Sequence, residues 1–268
     1  MSLLRRVDKA RDAYRKGDRA SSAAAHRPSE IRRAADEEHG GVGGQYIGDF
    51  VYGGLDGVVT TFAVVSGVSG AALGAEIVVV LGLANLLADG FSMGSGAYLS
   101  TKSELEVYRR EESRERWEVE HFPDGERAEL REIYLRRGFS PEDATQLVTI
   151  HSREPERWVK AMMVDELAML PSERRPLASA GATFGAFVVA GILPLLVYMA
   201  GLFVPVPPQA AFVGSILLAG LALFGLGAAK VLVTGRNPIR SGAEMLAVGG
   251  LAAVVAYAVG AFLKGLAG

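Results

Sequence analysis

Five long apolar stretches dominate the chain, at residues 48–70, 76–99, 177–200, 210–233 and 243–263. Each is long enough to cross a hydrocarbon core of ~30 Å, which takes about 20 apolar residues in a helix. A chain of 268 residues is too short to bury five such helices in a soluble core. The pattern therefore predicts an all-α membrane protein. Short turns at 71–75 and 201–209 join the first pair and the third to the fourth. Between the second and third stretches the pattern changes, and helical spacing persists while charge replaces apolar residues.

The contrast in charge is sharp. Residues 48–100 carry four charged side chains and 177–268 carry five, whereas 101–176 carry 32. The chain thus divides into an N-terminal tail at 1–46, a first helical pair at 47–100, a water-facing helical insertion at 101–176 and three further spans at 177–268. Lys and Arg fix the expected orientation. Ten precede the first span, fourteen lie in the insertion, and Arg236 and Arg240 lie in the last loop, while the turns at 71–75 and 201–209 have none. A cytoplasmic N-terminus puts all of these on one side and the C-terminus on the other. Lys264 is the contrary charge and can reach the headgroups.

The tail mixes Arg with Asp and Glu and lacks the apolar run of a signal peptide. It reads as partly helical or disordered. Cysteine is absent, which excludes disulfides and thiolate chemistry. A net charge of −2 gives no reason to expect nucleic-acid binding.

Within the insertion, the second span continues without a stop to His121, ahead of Pro123. Residues 124–137 form the next helix, closed by Gly138. Ser140-Pro141-Glu142-Asp143 is an N-terminal capping sequence. A last helix starts near Pro155, passes Met162 and Met163, and stops at Pro171. Residues three apart share a helix face, so Glu115 with Glu118 and Glu126 with Glu129 can bring four carboxylates together across an antiparallel pair. A bound dication would relieve their repulsion. Met162, Met163 and Glu166 place two thioethers near another carboxylate on the last helix, although either Met taken singly reads as a core contact.

Charges in hydrocarbon cost several kcal/mol. Glu76 and Glu244 lie at span ends and can be wet. Asp56 is about eight residues, ~12 Å, into the first span, and Asp49 lies seven residues before it. Asn85, Asp89 and Met93 share a face of the second. Carboxylate beside thioether suits a borderline transition dication better than Mg²⁺ or Ca²⁺. Taken alone, Met93 reads as packing and Asp56 as either a path residue or an inter-helix hydrogen bond. Facing each other, they read as an ion path. Gly53/Gly57, Gly90/Gly94 and Gly181/Gly185 provide small-residue faces for close packing or dimerisation.

The run Asp49-Phe-Val-Tyr-Gly-Gly-Leu-Asp56-Gly-Val-Val-Thr-Thr-Phe, then Asn85-Leu-Leu-Ala-Asp89-Gly-Phe-Ser-Met93 and Tyr98-Leu-Ser-Thr-Lys-Ser, resembles the vacuolar iron transporter family. Arg114-Glu115-Arg-Trp-Glu118, Glu126/Glu129 and Met162-Met163-Val-Asp-Glu166 continue the likeness. It covers about 47–268 and has no counterpart for the tail in its motifs; Ala97 stands where some members carry an acidic residue. The resemblance implies a homodimer with a cytoplasmic metal-binding insertion between spans two and three. It implies export of Fe²⁺, and often Mn²⁺ or other divalent ions, in exchange for protons; ligand softness leaves Co²⁺, Ni²⁺ and Zn²⁺ open as well, and no resident cofactor is expected. It makes Asp56 and Met93 the translocation ligands and Glu115, Glu118, Glu126, Glu129, Met162, Met163 and Glu166 the cytoplasmic site. Asp49, Asn85 and Asp89 complete the path expected from the spacing. The composition, Ala/Gly/Arg-rich and cysteine-free, points to a bacterial plasma membrane.

No nucleotide-binding or nucleophile motif is present, so an ion gradient is the expected driving force. The competing reading is a membrane-anchored ferroxidase using the same carboxylates. Di-iron bundles pair Glu with His at i+3, and His121 and His151 do not stand at that offset.

Overall fold

The glycines at 53 and 57 explain how the first span packs. In the computed structural model, a Cβ at Gly53 would run into the carbonyl of Thr183, and one at Gly57 into that of Phe187. Only residues without side chains let two backbones come this close. The structure describes residues 5–35, 45–231 and 237–267. The expected end of the fourth span at Val233, and Arg236 after it, lie outside the described residues.

All regular structure among the described residues is helical. Three short helices come first: α1 (Arg5–Lys16), α2 (Arg19–Ala25) and α3 (Pro28–Ala35). Asp18 caps α2, accepting from the backbone N–H groups of Ala20 and Ser21 at 3.0 and 3.1 Å. The long elements are α4 (Ile47–Gly70), α5 (Ala75–His121), α6 (Pro123–Arg136), α7 (Pro141–His151) and α8 (Pro155–Asp165). They are followed by α9 (Pro176–Gly191), a 3₁₀ turn (Leu193–Leu195), α10 (Leu196–Ala200), α11 (Pro208–Ala229) and α12 (Pro238–Ala267). Among the described residues, five helical stretches are long and apolar enough to cross a membrane: α4, α5, α9 through α10, α11 and α12.

The chain divides into two units, one of residues 1–94 and 180–268 and one of residues 95–179. In the first, Val58, Phe62 and Val65 of α4 form a core with Leu86 of α5, Phe187 of α9 and Leu223 of α11. The outward faces stay apolar, with Leu81, Phe91, Val189, Leu221 and Val254 exposed, as helices solvated by lipid require. The third span is broken rather than continuous. Pro194 cannot donate to the preceding turn, so α9 ends at Gly191 and a 3₁₀ turn intervenes. Ser215 of α11 donates to the Pro194 carbonyl at 2.7 Å, satisfying a group inside the apolar core.

In the second unit, Val119, Leu130, Tyr134, Val148, Trp158 and Val159 make a separate core. The break at Phe122 lets Pro123 open α6 at its first helical position, so α6 begins one residue before the expected start. Gly138, at φ +93°, closes the turn after α6. Ser140 caps α7 as its sequence predicts, accepting from the N–H of Asp143 at 3.1 Å. The last helix differs from expectation. It stops at Asp165, six residues before Pro171, where Ala168 adopts φ +53° and Met169 N–H turns back to the Met163 carbonyl at 2.8 Å.

Candidate metal centre

Helix α5 runs for 47 residues, ~70 Å at 1.5 Å per residue. That is over twice the ~30 Å hydrocarbon thickness, so its last turns, with Glu111, Arg114, Glu115 and Glu118, lie beyond the apolar span. Glu115 and Glu118 share a face of α5, and Glu126 and Glu129 share a face in the first turns of α6. Glu166 comes from the C-cap of α8 rather than from its body.

These carboxylates converge. Glu115, Glu118 and Glu126 can each offer an oxygen within 4.8 Å of the others, and so can Glu126, Glu129 and Glu166. Glu126 belongs to both groups and joins them. Glu115 is fully buried and Glu126 is 5% exposed, whereas Glu129 and Glu166 open to solvent. Among the described residues, Glu115 Oε2 and Glu126 Oε2 find no hydrogen-bond partner. An orphaned buried carboxylate oxygen is costly in the absence of a cation.

Electrostatics report the same crowding. Burial, then the charge of Glu166, pushes Glu115 up to about 7, against the opposing pull of Arg114. Burial, then the charges of Glu115 and Glu129, pushes Glu126 up to about 7. Glu166 is raised as well, by burial and then by Glu129. The guanidinium of Arg114 donates through Nη2 to Glu115 Oε1 and through Nη1 to Glu118 Oε2, both at 2.5 Å. Its Nε reaches Glu111 Oε2 at 3.0 Å. Sequence reasoning missed Arg114 as a member of the cluster. Its i, i+4 relation to Glu118 and i−3 relation to Glu111 were the available signals.

Met162 and Met163 are at most 1% exposed and belong to the core with Trp158 and Leu130. They are core side chains rather than the exposed pair that a solvated helix would present. Among the His, Asp and Glu side chains of the described residues, those that converge are all glutamates. His121 stacks on Trp117 and bonds its carbonyl, and His151 lies beside Tyr134.

The ionisable residues of the membrane unit are arranged differently. Asp49 and Asp56 on α4, and Asn85, Asp89 and Met93 on α5, are all half-buried. Asp56 lies within electrostatic range of Asp89. Met93 packs against the apolar core of this unit. Thr60 donates its hydroxyl to the Asp56 carbonyl at 2.8 Å, which leaves the Asp56 carboxylate untouched by that contact.

Residues 47–261 match the VIT family. A vacuolar iron transporter of Toxoplasma gondii is 38% identical over 97% of this chain and 89% of its own length. That match takes in the N-terminal helices, which the sequence motifs leave without a counterpart. Vacuolar iron transporter 1 of Arabidopsis thaliana is 36% identical over 80% of this chain and 84% of its own length. A vacuolar iron transporter of Plasmodium falciparum is 33% identical over 80% and 81%. Five apolar spans and a family match from the first span to the last make this chain an integral membrane protein of the VIT family.

Proposed function

We propose that the protein is a secondary transporter that moves Fe²⁺, with Mn²⁺ as a second ion, out of the cytosol in exchange for protons. The observation that carries this reading is the pair of buried, unpartnered oxygens on Glu115 and Glu126 in the glutamate cluster of a VIT family member. The relatives' shared description as iron transporters supports iron as the cargo. The orientation that places basic segments in the cytosol puts residues 101–176 there. A bacterial plasma membrane and a homodimer complete the reading.

The metal is substrate, and two stations handle it. Glu115, Glu118, Glu126, Glu129 and Glu166 capture the dication from the cytosol by replacing carboxylate repulsion with metal–carboxylate attraction. Met162 and Met163 lie in the adjoining core and supply thioethers if that core opens on loading. The ion then passes to Asp56 and Met93, with Asp49, Asn85 and Asp89 as the remaining polar groups along α4 and α5. Protonation of Asp56 from the far side weakens its hold and releases the ion, which couples export to proton entry.

The test is Fe²⁺ and Mn²⁺ uptake into proteoliposomes under an imposed pH gradient, with Asp56→Ala beside the wild type. Gradient-dependent uptake that disappears in the variant is the expected result. A folded, metal-binding wild type that moves no ion would overturn the carrier reading.

A further inference from the structure

The glutamate cluster already contains a cation. Arg114 spans Glu115 and Glu118 with its two terminal nitrogens and holds Glu111 with Nε. Two of these three partners belong to the converging carboxylate groups, and Glu111 does not. Glu111 is also held from outside by Arg110, at 2.6 Å. The Arg114 side chain is 41% exposed, so it has an open route away from the buried oxygens.

We propose that Arg114 is an exchangeable counter-cation: metal entry displaces its guanidinium from Glu118 and Glu115, and the side chain swings out while retaining Glu111 as its anchor. This rests on the metal-capture reading given above and adds a regulatory element to the same site. The guanidinium neutralises part of the repulsion among Glu115, Glu118 and Glu166, all of which act electrostatically on one another or on Arg114. Loading trades a unit charge for a double one. A monovalent ion entering the same place replaces like with like and gains nothing, so the exchange discriminates against Na⁺ and K⁺. It also holds the affinity for a dication below what five carboxylates alone would give, which suits a station that must pass its ion onward.

The planar fork of arginine is needed to bridge two carboxylates at once; lysine offers a point charge to one at a time. The predicted order of dication affinity is therefore Arg114→Gln above Arg114→Lys above wild type. Co²⁺, as an air-stable probe, is titrated by calorimetry into the detergent-solubilised full-length protein at pH 8. The Gln variant is expected to bind about tenfold tighter, a low-end value for one close charge partly open to solvent. Its metal-free melting temperature falls, and saturating Co²⁺ raises it by more than in the wild type.

Equal or weaker Co²⁺ binding by Arg114→Gln, or by Arg114→Lys if the Gln variant does not fold, would overturn the exchange and make Arg114 a structural clamp. A melting temperature that Co²⁺ fails to restore in the variant points the same way. Absence of Co²⁺ binding by the wild type is a separate outcome, which removes the metal-capture reading and the exchange with it.

Discussion

Tyr134 donates its phenolic hydrogen to Asp165 Oδ2 at 3.0 Å, tying the last turn of α6 to the last residue of α8. Arg137 binds the other oxygen of the same carboxylate and donates to the Asp165 carbonyl at 2.9 Å. Glu166 is the next residue, so this clamp sets where one member of the carboxylate cluster stands. Burial, reinforced by Asp165, keeps the Tyr134 phenol protonated well above its ordinary range. Tyr134→Phe removes one hydrogen bond to a charged acceptor, a loss of about 1.5–3 kcal/mol. The expected result is a lower melting temperature, read by the fluorescence of Trp158 in the same core, together with weaker Co²⁺ binding. An unchanged melt would show that Arg137 alone holds Asp165.

The metal-free cluster has a pH signature. Glu115 and Glu126 sit at about 7, above the ordinary 4.5. The folded protein therefore holds protons that the unfolded chain has released. Their contribution to stability is complete below about 4.5 and is lost as pH rises through 7. The melting temperature without metal is expected to fall between pH 5 and pH 8, and Co²⁺ at pH 8 should restore it. Binding at pH 6.5 should also release protons, seen as calorimetric heats that change with the ionisation enthalpy of the buffer. Heats independent of buffer would contradict raised values at these two residues.

Capture and passage should separate genetically. Asp56→Asn is expected to abolish proteoliposome transport while calorimetric Co²⁺ binding stays within about twofold of wild type, the margin for sites that share no partners. Glu126→Gln, which alters the carboxylate shared by both groups, should weaken Co²⁺ binding at least about tenfold, because it removes a full negative charge from beside the dication. If Asp56→Asn removes both activities in a folded protein, two separate stations are not the arrangement.

The glycines sort by what surrounds them. Gly57→Ala drives a methyl group into the Phe187 carbonyl, whereas Gly181 has open space within 4 Å. Overpacking of this kind costs about 1–3 kcal/mol. Gly57→Ala should lower the melting temperature and the yield of monodisperse protein, while Gly181→Ala should leave the melting temperature of the protomer unchanged. Equal effects at both positions would show that the α4–α9 contact is looser than the backbone separation implies.

Much of this was legible in the sequence because the signals were local. Apolar runs marked the spans, and Ser140 with Pro141 marked the start of α7 before any contact was known. The Glu pairs at i, i+3 named the carboxylates that converge. What escaped depended on partners distant in sequence or on backbone torsion. Pro194 lies inside an apolar run, so its break in the third span was hidden by the residues around it. The end of α8 is set by Ala168 at positive φ, where no glycine advertises the turn. The carboxylates around Arg114 are local in sequence, but the full burial of Glu115, which sets this arginine apart from the other charges of the insertion, comes from tertiary packing. Met162 and Met163 fall inside a core whose other members come from four helices.

The crossing at Gly53 and Gly57 has a mechanical consequence. Gly191 of α9 also meets the backbone of Gly57, and Gly260 of α12 meets that of Gly67. Helix α4 is thus seated backbone-to-backbone on two neighbours, without side chains between them to act as a lubricating layer. Such seams slide or part poorly, because there are no rotamers to readjust as the axes shift. Opening first to one side of the bilayer and then to the other would have to leave α4, α9 and α12 travelling as one block. The pliable joints are then elsewhere, with the interrupted third span after Gly191 as the natural place for the block to flex.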